Sequence, residues 1–128
     1  MKGFILTALL LTTLPTLARD NGQWDAIPSD IRRWYQNLMQ PDQPTNSCCG
    51  ESDAYWADSY EVSKDGEYIA IITDTRTIPS RRDRKVGTKV LIPNHKIKWN
   101  EGNPTGHGVV FMGASNDIVF CYVPPGGV

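Results

Sequence analysis

The sequence predicts an α+β fold: one N-terminal amphipathic helix packed on an antiparallel, strongly twisted sheet or small open barrel of about five strands. Three observations predict it. A single apolar stripe at helical spacing lies between Ser29 and Pro41, the rest of the chain from about residue 58 reads as short runs rich in β-branched and aromatic residues, and hairpin links without crossover helices join those runs. With 128 residues, 40% of them hydrophobic, and no internal repeat, the chain can build one core.

The first element is a leader. Lys2 precedes an apolar run from Phe4 to Leu14, Pro15 breaks it, and Thr16-Leu17-Ala18 puts small residues at the −3 and −1 positions of a cleavage site. That three-part pattern marks residues 1–18 as a secretory signal peptide, and the run falls short of the roughly 20 residues that span a bilayer. The expected product is a single globular domain, residues 19–128, in the periplasm or secreted, with no stable membrane insertion after cleavage.

Residues 19–28 are polar and irregular, with an isolated Trp24. Ser29 then offers an N-cap, Asp30 suits the first turn, and Pro41 stops the run. Between them Ile31, Trp34, Tyr35, Leu38 and Met39 follow the i, i+3, i+4, i+7, i+8 pattern, so the helix is predicted over about 29–40. Residues 41–53 are turn formers surrounding two adjacent cysteines and form a cysteine loop. The sheet is expected over about 58–123. Tyr60–Ser63 and Tyr68–Asp74 flank Lys64-Asp65-Gly66-Glu67, where Asp-Gly predicts a type I′ hairpin. The nearly continuous apolar run Tyr68–Ile72 predicts a central strand. Thr88–Ile92 ends at Pro93, and His107–Met112 and Ile118–Val123 supply the last two strands. Asn103-Pro104-Thr105-Gly106 is turn chemistry.

A formal net charge of −1, made more acidic by loss of Lys2, gives no electrostatic reason to seek nucleic acid or an anionic membrane. The basic cluster Arg81-Arg82-Asp83-Arg84-Lys85 reads as a solvated loop, and Asp74 with Arg76 as a surface ion pair. No Gly-rich phosphate loop, dinucleotide fingerprint or metalloprotease motif is present, so no cofactor is expected.

Three cysteines cannot all pair in one molecule. An exported chain oxidises its thiols, and neighbouring Cα atoms about 3.8 Å apart are too close for an ordinary bridge, whose Cα atoms lie about 4.4–6.8 Å apart. Cys121 is therefore expected to pair with Cys48 or Cys49, leaving one thiol buried, linked to a second chain in a dimer, or reactive. Cys48, Cys49, Cys121, His95 and His107 include the residue types of a zinc shell, but the spacing lacks the paired C-x2–4-C pattern and no metal site is assigned.

A catalytic constellation can be assembled from Cys49, His107 and Asp53. A thiol at the start of a short helix beginning near Gly50 would be activated, with His107 on a later strand as its base and Asp53 in a carboxylate cluster with Glu51 and Asp58. That layout is similar to the papain-like cell-wall amidases, which implies a cysteine-dependent hydrolase as the alternative function. Trp24, Tyr55, Trp56 and Trp99 lie in polar or loop-like surroundings instead, and exposed aromatics of this kind make contact area at low entropic cost. They point to a non-enzymatic module that binds a protein, a cell-wall component or a small ligand, which is the leading expectation.

Taken in order, Trp34-Tyr35, Leu38 and Pro41, Ser47-Cys48-Cys49 with Asp53, Ile92-Pro93, Asn103-Pro104-Thr105-Gly106 and Cys121-Tyr122-Val123-Pro124-Pro125 resemble a group of small exported bacterial proteins also found in phage-derived regions. The likeness covers nearly all of the mature chain and brings no activity with it. Members of that group carry further cysteines where this chain has Ala54 and near Phe111. Their joint absence here would leave Cys48, Cys49 and Cys121 as a separate pairing unit.

Overall fold

A computed structural model describes residues 27–48, 53–79, 81–99, 102–114 and 116–125. The predicted leader, Trp24 and Cys49 lie outside the described residues. The architecture is α+β, with one α-helix, α1 (Ser29–Asn37), and six strands. The strands are β1 (Ala54–Trp56), β2 (Ser59–Val62), β3 (Tyr68–Ile71), β4 (Lys89–Ile92), β5 (Val109–Met112) and β6 (Val119–Val123). They form two antiparallel three-stranded sheets, ordered β1-β5-β6 and β2-β3-β4, and do not close into a barrel. No helix among the described residues is long and apolar enough to cross a membrane.

The two sheets are corners of one bent ladder. Trp56 O accepts from Thr73 N at 2.9 Å, and one residue on, Ala57 N donates to Gly108 O at 2.7 Å, so the chain leaves one sheet and enters the next without losing its backbone partners. Gly108 permits this corner. A Cβ there would collide with the Ala57 carbonyl oxygen and lie 2.8 Å from Pro125 Cδ. At the other side, Ile97 forms a parallel bridge with Tyr122 and Lys98 N donates to Tyr122 O at 2.8 Å, which covers the edge of β6.

Strand parity divides the core in two. Tyr55, Val110, Met112, Val119 and Tyr122 join Ala70, Ile72, Val90, Ile92 and Ile97 in the cluster between the sheets. The alternate residues Ala54, Val109, Phe111, Cys121 and Val123 join Tyr35, Leu38 and Cys48 on the opposite face of β1-β5-β6. Hence β5 is buried at all four positions, the continuous apolar pattern of a strand covered on both faces.

Several expectations are corrected at their edges. Pro28, not Ser29, occupies the N-cap position, its carbonyl accepting from Arg32 N at 3.1 Å. The helix stops at Asn37, before Pro41, because residues 38–48 double back: Met39 bridges Ser47, Gln40 N bonds Asn46 O at 2.8 Å and Cys48 N bonds Leu38 O at 2.9 Å. Residues 54–56 are strand rather than part of a short helix, held by the pairings Ala54↔Phe111, Tyr55↔Val110 and Trp56↔Val109. The β2–β3 connection is a three-residue loop, not a type I′ turn. Ser63 N bonds Glu67 O, Gly66 N bonds Ser63 O, and Gly66 takes φ 78°, the arrangement of a turn followed by a left-handed glycine bulge. Between Phe111↔Cys121 and Met112↔Val119 the register slips by one, leaving Phe120 as a bulged residue. β3 is central in its sheet as expected, and β5 is central in the other.

The cysteine alternatives resolve. Cys48 bonds Cys121 with Cα atoms 5.6 Å apart, and both are fully buried. Neither sulfur is then available as a zinc thiolate. Among the described residues no three potential ligands gather around a metal position, and His95 faces Asp42 (4.0 Å) while His107 faces Asp58 (3.1 Å).

Candidate functional site

The turn before β5 sets the position of His107. Asn103 Oδ1 accepts from Thr105 N at 2.9 Å, Asn103 Nδ2 donates to His107 O at 2.5 Å, and Gly106 takes φ 76°, the turn chemistry its sequence predicts. The imidazole lies flat on Trp56, with centroids 3.8 Å apart and planes 9° apart. Its Nδ1 is 3.1 Å from both carboxylate oxygens of Asp58, which also accept from Gly108 N at 3.0 Å and Thr73 Oγ1 at 3.1 Å. The Arg76 guanidinium stands 3.6 Å from the centre of the same indole, which requires the opposite face.

Behind Arg76 lies Asp74, whose side chain is fully buried. Its Oδ1 accepts from Arg76 Nε at 2.9 Å and Arg76 N at 3.0 Å. Its Oδ2 accepts from Arg76 Nη2 at 2.8 Å, Arg81 Nη1 at 2.9 Å and Trp56 N at 3.1 Å. Burial opposes ionisation of this carboxyl, but the bonds from Arg76, Arg81 and Trp56 N outweigh it and hold the group well below the usual carboxylate range. Arg81 also donates to Ala54 O and Arg76 O, each at 2.8 Å, and covers the Tyr55 ring at 4.3 Å. Arg84, nearly buried, bonds Asp117 at 2.8 Å.

The basic cluster is therefore in part internal. Arg81 and Arg84 leave the solvent because a planar guanidinium can satisfy a carboxylate, carbonyls and an aromatic face together. Asp74 with Arg76 is an ion pair, as the sequence suggests, but its acidic half is buried.

A second assembly opens between the sheets. Register places Tyr60, Val62 and Tyr68 on the same face as buried Ala70, Val90 and Ile92. The opposing sheet does not reach them: Tyr60 is 44% exposed and Val62 53%. Trp99, also 53% exposed, meets Tyr68 edge to face at 5.4 Å, and Tyr68 lies 5.4 Å from Tyr60. Three segments thus bring three rings to one mouth. Tyr122 belongs to the core next to it; its hydroxyl is buried and has no hydrogen-bond partner among the described residues. Burial, and after it Tyr60, Asp58 and Tyr68, push its ionisation upward.

Among the residues singled out from sequence, His107 and Trp56 meet in the stack and Trp99 stands in the mouth. Tyr55 is core rather than exposed (2%), and Asp53 is buried. Asp58 was singled out only as part of a carboxylate cluster, not as the partner of His107, and Tyr60, Tyr68 and Tyr122 were missed as site residues. The alternation of Tyr60, Val62, Tyr68 and Ala70 carried the signal, since it puts a cross-strand aromatic pair on the inward parity. Comparison with family models, curated proteins and solved structures returns no match.

Proposed function

We propose that this chain is an exported, disulfide-stapled binding module that takes its ligand at the mouth of Tyr60, Tyr68 and Trp99. The observation that carries the reading is the exposure of Tyr60 and Trp99 on either side of half-buried Tyr68, with Tyr60 and Tyr68 on the inward face of a sheet where a closed core would cover them. The buried Cys48–Cys121 bond supports an oxidising compartment, as the leader pattern does. Ala54 and Phe111 are direct cross-strand partners, which supports the likeness to exported proteins carrying cysteines at and near those positions. A fragment screen read by the indole N–H resonances of isotope-labelled protein tests the site. Hits are expected to shift Trp99 more than Trp56 or Trp34. Hits with no preference for Trp99 would count against it.

A second reading keeps the cysteine-dependent hydrolase, with Cys49 as nucleophile and His107 as base. The specific observation favouring it is Asp58, whose carboxylate lies against His107 Nδ1 where an orienting group would stand, a pairing the sequence did not reveal. This reading predicts a thiol that alkylates rapidly at neutral pH in the folded protein, and slower alkylation in His107→Ala. Labelling that requires denaturant removes it.

A further inference from the structure

Along the edge of a sheet, alternate residues turn their N–H and C=O groups outward, and register says which. On β1 these are Ala54 and Trp56. Ala54 O accepts from Arg81 Nη1 at 2.8 Å, Trp56 N donates to Asp74 Oδ2 at 3.1 Å, and Trp56 O accepts from Thr73 N at 2.9 Å. On β6 the edge is covered at Tyr122 by Ile97 and Lys98. The chain thus covers both edges of the β1-β5-β6 sheet with its own groups. The other sheet is different. Thr88 O accepts from Ile72 N at 2.9 Å, and with the register Ala70↔Val90 this turns Thr88, Val90 and Ile92 of β4 toward β3. Lys89 and Leu91 therefore turn their main-chain groups outward, and nothing among the described residues bonds them. On β2, Ser63 N donates to Glu67 O at 2.9 Å, which by the same count turns Tyr60 and Val62 outward.

The two bare edges differ in whether they can pair with themselves. Two β2 strands joined antiparallel through both outward residues, Tyr60 opposite Val62, would set Glu61 directly against Glu61, and like charges so placed repel. Two β4 strands joined the same way set Lys89 opposite Leu91 and Val90 opposite Val90, with no like charges opposed. Every outward N–H and C=O of Lys89 and Leu91 then meets its complement. Lysine often blocks an edge, but here its ammonium is held 3.1 Å from Glu61, on the outer face of its own sheet. Leu91, 57% exposed, lies on that same face beside half-buried Ile69 and Ile71, so the pairing continues one apolar strip across the junction. A cavity of about 260 Å³ lined by Thr88 to Leu91 with Arg84, Met112 and Asp117 lies against the strand. We infer that β4 is a homodimer edge. Two copies of this chain pair antiparallel through Lys89 to Leu91 about a two-fold axis at Val90, joining two three-stranded sheets into one of six strands. This goes beyond the binding-module reading and does not depend on it.

Sedimentation equilibrium of the mature chain tests the inference, with free thiols alkylated so that no interchain disulfide forms. The parent is expected to dimerise with a dissociation constant on the order of 100 μM or tighter, as suits a small interface. Leu91→Pro removes an outward N–H that the chain's own sheet does not use, a change that an edge strand tolerates, and should weaken the dimer by about tenfold or more. Val62→Pro, the same change on the β2 edge, should dimerise as the parent does. Charge then reads the register. Leu91→Lys places a second lysine opposite Lys89 at both ends of the pairing and should weaken the dimer by about tenfold, whereas Leu91→Glu meets Lys89 of the second copy and should dimerise at least as tightly as the parent. The charge variants decide the matter even where Leu91→Pro lowers Tm. A parent that stays monomeric at about 1 mM overturns the inference, as does equal dimerisation of Leu91→Lys and Leu91→Glu.

Discussion

Asp74→Asn is expected to destabilise the protein by about 3–5 kcal/mol, a fall in Tm of more than about 12 °C. Asparagine fits the same volume, so the loss comes from charge and hydrogen bonding rather than from a cavity. Five donors converge on the Asp74 carboxylate, from the Arg76 side chain and backbone, from Arg81 and from Trp56 N. An amide cannot accept at its nitrogen, and it leaves Arg81, whose side chain is only 2% exposed, as a buried cation without a counterion. The damage should spread along the stack, because Asp74 orients Arg76, Arg76 caps Trp56, and Trp56 carries His107. Thermal unfolding of the variant, with near-ultraviolet circular dichroism of the tryptophans, measures both effects. An unchanged Tm would show that Arg81 finds other compensation.

The same carboxylate gives the domain an acid limit. The folded pKa of Asp74 is depressed, so the unfolded state binds more protons once pH drops below its own carboxylate pKa of about 3.9. The stabilisation is therefore fully present above about pH 4 and is lost as pH falls further, toward the folded value. In denaturant titrations the parent should weaken steeply below pH 4. Asp74→Asn, which has no proton to take up at this position, should show a shallower slope there.

What the sequence disclosed and what it hid follow from the range of each interaction. Strand parity, turn residues and the helical stripe are local, and they located α1, β2 to β6 and the Asn103–Gly106 turn to within a few residues. β1 escaped because Ala54–Trp56 has no alternation of its own; it is a strand only because β5 lies beside it. The Arg81–Asp74 bond joins residues whose local composition resembles a solvated loop, and only the fold discloses that the arginine points inward. The mouth was hidden for a related reason. Tyr60 and Tyr68 sit at core parity, so a sequence reading assigns them to packing. Their exposure depends on where the other sheet stops, which no local pattern encodes.

Cys121→Ala should lower stability by about 4 kcal/mol in the chain-entropy account, since the bond spans 73 positions, and lower Tm by roughly 15–30 °C. It is a more informative variant than Cys48→Ala, because it removes the partner of both neighbouring cysteines, whereas Cys49 remains to compete for Cys121 when Cys48 is lost. The loss should fall unevenly. The bond ties residues 38–48 to β6, and further polar ties among the described residues run from Lys96 to Gln40 and Asp42, at 2.9 and 2.8 Å, and from Lys98 Nζ to Met39 O at 2.6 Å. Lys96 lies at the end of the 3-10 turn Asn94–Lys96, and its bond helps hold the Asp42 carboxyl below its ordinary range. Those contacts anchor the tip of the doubled-back segment but not its return to Cys48. Limited proteolysis of Cys121→Ala should therefore cut first within residues 27–48, while fragments containing β1 to β6 persist. Uniform cleavage across the sheet would mean that the bridge holds the two core clusters together. Protection equal to the parent would mean that Tyr35 and Leu38, packed with Phe111, hold the segment without it.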